Sequence, residues 1–171
     1  MRFREIFKLS VFCRIVIYFI STRMPIHDNG QSKTDKSLGR AMSLSKELLT
    51  GIQEIDDQHG SLFLLLGNLQ SQIGSGQNWS DIYFTLSELS HYARTHFTIE
   101  ESVMRLHGYP DLEQHIAEHR SFIEKLSELE AKAVRKDVGP SIVEFIRQWL
   151  ENHIGKSDQA YVQCLRTRPV I

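Results

Sequence analysis

Histidines and carboxylates occupy positions of this sequence where packed helices normally carry leucine. Four stretches place apolar residues at alternating steps of four and three, the spacing of helices that bury one face, and no stretch shows the sustained alternation of a strand. A core that accepts polar groups loses burial energy and must compensate for their desolvation. The polar residues at these core positions are His59, His96, Glu100, His115, His119, His153 and Asp158.

Glycine and proline separate the four predicted helices. Breaks fall at residues 74–76, 108–110 and 139–140, where glycine can take left-handed backbone and proline cannot continue a helix. Asp111, with Gln114 three residues later, resembles a capping box at the start of the third helix. Because the connections are short, neighbouring helices should be antiparallel. We therefore predict an all-α fold, an up-down-up-down four-helix bundle.

Composition is that of an ordinary globular protein and gives no sign of nucleic-acid binding. Apolar residues make up 41% of the 171 residues, charged residues 24%, and the net charge is −1. There is no basic patch with interleaved aromatic residues. Cys13 and Cys164 lie far apart without metal-ligand spacing, which favours free thiols and a cytoplasmic location. Composition leaves protein partners and oligomeric state open.

The first 42 residues differ from the rest of the chain. Basic residues precede an apolar run at residues 11–20, which is too short for a membrane span of about 20 residues. Membrane-surface association through residues 1–23 is an alternative. We favour an extension that is flexible or not native, with translation starting at Met24 or Met42. The predicted domain covers residues 43–165, and residues 166–171 form a short tail.

The spacing of the polar core residues directs them to one centre. His96 and Glu100 are four residues apart, as are His115 and His119, so each pair shares a helix face. Each of the four predicted helices contributes at least one such residue. Metal binding is the usual way to compensate for such buried lone pairs and charges. The sequence therefore predicts a metal centre inside the bundle.

Asp158 fits an ideal helix less well. It follows His153 by five residues, a rotation of about 140° around a helix with ~3.6 residues per turn. Both side chains can face one centre only if the helix widens or the aspartate approaches from the side. We predict a π-type turn near Gly155, because such turns occur frequently at functional sites.

Seven ligands are too many for one ion, so we predict a dinuclear centre. Imidazole and carboxylate together suit iron, although ligand type alone also permits zinc or manganese. Five histidines, two bridging carboxylates and a bridging oxo or hydroxo group leave roughly one vacant position on two ions that take about six ligands each. Such a centre could bind one small exogenous ligand.

The order of the motifs resembles the hemerythrin family over roughly residues 44–163. Each motif alone is weak, but all of them occur in order and on the expected helices. The Gly108-Tyr109-Pro110 connection is also similar to the family. The motifs are Asp56-Asp57-Gln58-His59, His96-Phe97-Thr98-Ile99-Glu100-Glu101, His115-Ile116-Ala117-Glu118-His119, and the segment from Trp149 to Asp158.

The resemblance implies a division of roles among these residues. It implies that Glu100 and Asp158 bridge two irons and that dioxygen binds reversibly to one of them. Trp149 and Leu150 match positions that line the oxygen pocket and exclude water. The family pattern assigns His115, His119 and His153 to a saturated iron, and His59 and His96 to the iron with the vacancy.

Several residues outside the ligand set carry alternatives. Leu44 stands where the family often has tryptophan, which suggests a looser pocket cover. Glu101 is either a carboxylate that orients a ligand histidine or an exposed charge. Glu88 and His91 form a single ExxH motif, for which a solvated helix face is the better account, since a ferritin-like site needs two such motifs. His27, His91 and His107 are expected to be surface or flanking residues.

Oxygen storage, buffering or delivery is the leading functional hypothesis. A signalling module whose iron state changes a protein contact is a second, although few residues follow Asp158. An enzyme that reduces peroxide or nitric oxide ranks lower, because no further acid, base or redox thiol lies on the helix seams. Iron homeostasis without oxygen chemistry is a fourth hypothesis.

Overall fold

The computed structural model describes residues 44–135 and 139–167, which are helical throughout apart from their connections. No strand occurs in this part of the chain, and the predicted all-α four-helix bundle is confirmed. A 3-10 turn, Lys46–Leu48, precedes the bundle. The helices are α1 (Gln53–Gly74), α2 (Trp79–Leu106), α3 (Leu112–Val134), α4 (Pro140–His153) and α5 (Gln159–Thr167). The predictions for residues 1–42, including His27, lie outside the described residues.

The apolar faces of the helices form a continuous core beside the polar centre. Leu62 and Leu66 of α1 are fully buried, as are Leu86 of α2 and Ile146 of α4. Burying a leucine or isoleucine contributes about 1.5–3 kcal/mol. The same four-and-three spacing that buries these residues also points the polar core residues inward, because both sets share one face of each helix.

The helix ends follow the glycine and proline signals. Gly76 and Gly108 have φ angles of 67° and 60°, which only glycine adopts without cost, and they end the turns after α1 and α2. Pro140 is the first residue of α4. The predicted capping box on α3 is wrong. Asp111 precedes the helix, but its backbone (φ −98°, ψ 23°) is not extended and its side chain makes no capping hydrogen bond.

A π-helical turn, Ile154–Asp158, joins α4 to α5 and confirms the widening predicted near Gly155. The wider turn brings His153 and Asp158 to the same interior, where they are 3% and 0% exposed. A Cβ atom on Gly155 would lie 3.2 Å from a methyl group of Leu48, so the missing side chain lets the 3-10 turn approach.

None of the described helices combines the length and the apolar character required to cross a lipid bilayer.

Candidate metal centre

All seven predicted ligands converge at one place in the bundle, and none is more than 3% exposed. Their nitrogen and oxygen atoms form two groups, within each of which one ligand atom per residue lies within 4.8 Å of the others. Glu100 and Asp158 belong to both groups. The first group adds His115, His119 and His153, here called the three-histidine side; the second adds His59 and His96, the two-histidine side.

Asp158 lies between the two sides and faces each with a different oxygen. Its Oδ2 lies 3.2 Å from Nε2 of His59, on α1. Its Oδ1 lies 3.2 Å from Nε2 of His153 and 3.4 Å from Nε2 of His115. A carboxylate in this position can bridge two cations, and the π turn is what places it there.

Glu100 also contacts both sides and is held by a tyrosine. Its Oε2 lies 3.5 Å from Nε2 of His96 and 3.6 Å from Nε2 of His119. The hydroxyl of the fully buried Tyr161, on α5, donates to Oε1 over 2.9 Å. Sequence reasoning missed Tyr161, because no motif links it to Glu100 and only the packing of α5 brings them together.

Two further carboxylates orient the three-histidine side. Nδ1 of His119 lies 2.9 Å from Oε1 of Glu101, and Nδ1 of His153 lies 2.9 Å from Oε2 of Glu118. A ring nitrogen that donates to a carboxylate leaves the opposite Nε2 as a lone pair directed into the centre. Of the alternatives for Glu101, the structure favours the orienting role. Glu118 was not predicted, and Ser157 also donates to it over 2.6 Å.

The two-histidine side has a neutral partner instead. Nδ1 of His96 lies 2.9 Å from Oε1 of Gln58, which is 3% exposed. Gln58 stands in the motif that carries His59, so a sequence signal existed, although its partner could not be inferred from it. The two sides of the centre therefore differ in charge, with carboxylates behind one and an amide behind the other.

The electrostatics keep His96, His119, Glu100 and Asp158 in forms that bind a cation and leave a proton on His153. Burial lowers the pKa of His96 to about 4, and burial also lowers the pKa of His119, so both imidazoles are neutral near pH 7. For Glu100 and Asp158, burial raises the pKa, but the neighbouring histidines outweigh it and lower both values. The carboxylates are therefore ionised. Burial opposes a charge on His153, yet Asp158 and other acidic groups raise its pKa to about 10.

Several buried polar atoms of the centre have no hydrogen-bond partner. Leaving such an atom unpaired costs about 1–3 kcal/mol, so an interior with several of them calls for another bonding partner. A cation coordinated by these atoms would satisfy them together, and their chemistry fits iron. The atoms are both ring nitrogens of His59, Oε2 of Glu100, Nε2 of His115 and both carboxylate oxygens of Asp158.

Aromatic rings enclose the three-histidine side. Phe97 stacks on His119, with ring centroids 3.7 Å apart and planes 7° apart. Trp149, half-buried, stacks on His153 at 4.4 Å and on Phe122 at 4.0 Å. These stacked rings fix the planes of the His119 and His153 imidazoles.

The remaining sequence candidates lie away from the centre or beside it. Leu150 is 1% exposed and belongs to the apolar core. Glu88 and His91 are exposed on α2, and His107 is half-buried with Nδ1 2.8 Å from a backbone oxygen of α2. None of these three belongs to either group of ligand atoms.

Comparisons with known proteins agree with this geometry. The family model described as hemerythrin HHE cation binding domain matches residues 50–165. A bacteriohemerythrin of Methylococcus capsulatus is 36% identical over 121 residues, covering 70% of this chain and 92% of that protein. One of Pseudomonas aeruginosa is 33% identical and covers 70% of this chain and 78% of its own length. The crystal structure of wild-type hemerythrin aligns with a TM-score of 0.64 and 34% identity, over 68% of this chain and 91% of that one.

Proposed function

This chain belongs to the hemerythrin family, and we propose that it binds dioxygen reversibly at two non-haem iron ions, for oxygen storage, buffering or delivery. The observation that carries the proposal is the sharing of Glu100 and Asp158 by two groups of buried ligand atoms. Shared carboxylates are what a pair of neighbouring cations needs, since each carboxylate can neutralise both.

The proposed assignment follows the two groups of ligand atoms. His115, His119 and His153 would hold one iron, and His59 and His96 would hold the other. Glu100 and Asp158, which belong to both groups, would hold both irons, and an oxo or hydroxo group would complete the centre. Iron bound there would supply the electrons that dioxygen needs in order to bind and would recover them on release. Because the two-histidine side has one protein ligand fewer, an iron on that side would have room for dioxygen.

The surrounding residues support binding in preference to a chemical reaction. Leu150, which is 1% exposed, and Trp149 are proposed to line the oxygen pocket with apolar surface. The Tyr161 hydroxyl points at Glu100, and its pKa is raised well above its usual value of 10.0, first by burial and then by the charges of Glu100 and Asp158. A phenol that keeps its proton in this way holds the carboxylate in place and does not serve as a proton donor.

Spectroscopy of the reconstituted full chain tests this proposal. The metal-stripped protein is loaded anaerobically with Fe²⁺, its iron content is measured, and it is then exposed to air. We expect a ratio of about two irons per chain, as the shared-carboxylate grouping requires. A charge-transfer band in the visible region should appear in air and disappear under argon, and this cycle should repeat.

A pair of histidine variants on α2 provides the matched control. His96→Ala removes a proposed ligand and should abolish the reversible band. His91→Ala removes an exposed histidine of the same helix and should leave it unchanged. Oxygen consumption without recovery of the ferrous protein would favour an enzyme, and iron binding without any band would favour iron homeostasis.

A further inference from the structure

We propose that a cavity between α3, α4 and the π turn is the port through which iron reaches the buried centre. The inference rests on the proposed iron binding but concerns the rate and route of loading, not the occupied state. The cavity has a volume of about 460 Å³. Buried His115 and His153 form part of its lining, and exposed Asp111, Asn152 and Lys156 form part of its rim.

The burial of the ligands creates the need for a port. None of the seven is more than 3% exposed, and the large apolar core lies against them. A hydrated divalent cation cannot cross such a core, because desolvating an isolated charge there is prohibitively costly. The second described cavity, of about 390 Å³, is lined by residues such as Ile73 and Val143 and touches no ligand. The cavity beside His115 and His153 reaches two of them.

Glu118 connects the solvent to the ligands within this cavity. Its side chain is 35% exposed, while its Oε2 accepts from Nδ1 of His153 and from Oγ of Ser157. The carboxylate therefore has one side in the solvent-facing cavity and the other on a ligand histidine. An ionised oxygen ligand part-way along a polar passage can replace water around an entering cation.

The π turn forms one wall of the passage. Lys156 and Ser157 belong to this turn and line the cavity, and Asp158, the bridging carboxylate, directly follows them. A shift of a few residues of this turn would therefore let a cation pass from Glu118 to the ligand atoms. Helices α1 and α2 would not have to move.

A steric test narrows the cavity without touching a proposed ligand. The metal-stripped full chain is mixed with Co²⁺, and uptake is followed by its visible absorption in a stopped-flow instrument. Ala160→Phe places a large ring on an exposed lining position and should slow uptake several-fold, with the final cobalt content unchanged. Ala117→Phe adds the same ring to an exposed position of α3 outside the cavity and should leave the rate unchanged.

A second test changes the charge at the rim and should increase the rate of uptake, whereas the steric test should decrease it. Lys156→Gln removes a positive charge from the rim and should speed Co²⁺ uptake several-fold at low salt, because a unit charge repels a divalent cation with twice the energy with which it repels a monovalent one. The gain should shrink at high salt. Lys132→Gln removes an exposed charge from the far part of α3 and should change nothing.

The results separate this inference from the proposed function. Unchanged rates in both Ala160→Phe and Lys156→Gln, in protein that still fills with cobalt, would overturn the port. Equal slowing by Ala117→Phe would do the same, because it would indicate a general effect of the added ring. A wild-type chain that takes up neither Co²⁺ nor Fe²⁺ would instead reject the proposed function.

Discussion

Single hydrogen bonds decide what the histidines of the centre can do. His119 and His153 each donate from Nδ1 to a carboxylate, which leaves both Nε2 atoms facing each other across 3.0 Å. Because the pKa of His153 is raised to about 10, its Nε2 keeps a proton and donates it to Nε2 of His119, and a metal bound there would have to replace that proton. The outer residues Glu101 and Glu118 thereby prepare the inner nitrogens for a metal, although neither carboxylate belongs to the two groups of ligand atoms.

Replacing Glu118 should weaken metal binding. In Glu118→Gln, the neutral amide is a poorer acceptor for His153, so we expect metal affinity to fall roughly 10- to 100-fold, the usual cost of losing such a partner. Competition against a chelator of known affinity measures the change. Glu113→Gln, an exposed position of the same helix, is the control. An affinity equal to that of the wild type would mean that Glu118 does not support its ligand.

Filling the position of Leu44 should protect the oxygenated protein. Leu44 is half-buried and packs against the apolar core, at a position where the family often has tryptophan, so a larger ring there would add to the apolar cover of the bundle. We expect Leu44→Trp to lengthen the lifetime of the oxygenated form, measured as the decay of its visible band in air. Leu49→Trp, at a position 46% exposed, should have no effect. An unchanged or shorter lifetime in Leu44→Trp would reject the idea.

At the scale of helices, the periodicity of the sequence predicts which face of a helix is buried, but it does not predict how two helices pack against each other. The inward direction of His115 and His119 follows from a spacing of four residues within one helix, and the π turn follows from a spacing of five. Tyr161 and Glu118 could not be predicted in their roles, because their partners lie on other helices and only the packing angle brings them together. The capping box predicted at Asp111 does not form for a local reason, because the backbone of Asp111 is not extended.

Two glycines in helical segments should respond differently to an added methyl group. A Cβ atom on Gly60, in α1, meets nothing within 4 Å, so Gly60→Ala should raise the free energy of unfolding by about 0.5–1 kcal/mol through reduced backbone entropy. Gly155→Ala should raise the free energy of unfolding by a smaller amount, because its Cβ would lie 3.2 Å from a methyl group of Leu48. Urea unfolding of the metal-free variants compares the two. A larger gain at Gly155 would contradict the described contact.

At the scale of the whole molecule, the bundle combines an apolar core with a polar centre that opposes folding when it is empty. The core contributes burial energy, while the inward imidazoles and carboxylates are desolvated without full hydrogen bonding. Metal binding therefore couples directly to the stability of the fold.

Metal removal should destabilise the entire bundle. A metal that binds only the folded state adds about 4 kcal/mol when its free concentration is a thousandfold above the dissociation constant. We expect the melting temperature of the iron-loaded, anaerobic protein to fall clearly after chelation and to recover when Fe²⁺ is restored, as measured by calorimetry. Equal melting temperatures with and without iron would mean that the centre does not contribute to folding.

The unequal partners of the two sides have an electronic consequence. Glu101 and Glu118 place negative charge behind His119 and His153, whereas Gln58 places none behind His96. Negative charge favours the higher oxidation state of a nearby metal. If the centre lost a single electron, the resulting ferric ion should therefore be localised on the three-histidine side, and its ferrous neighbour would be the one left facing the vacancy.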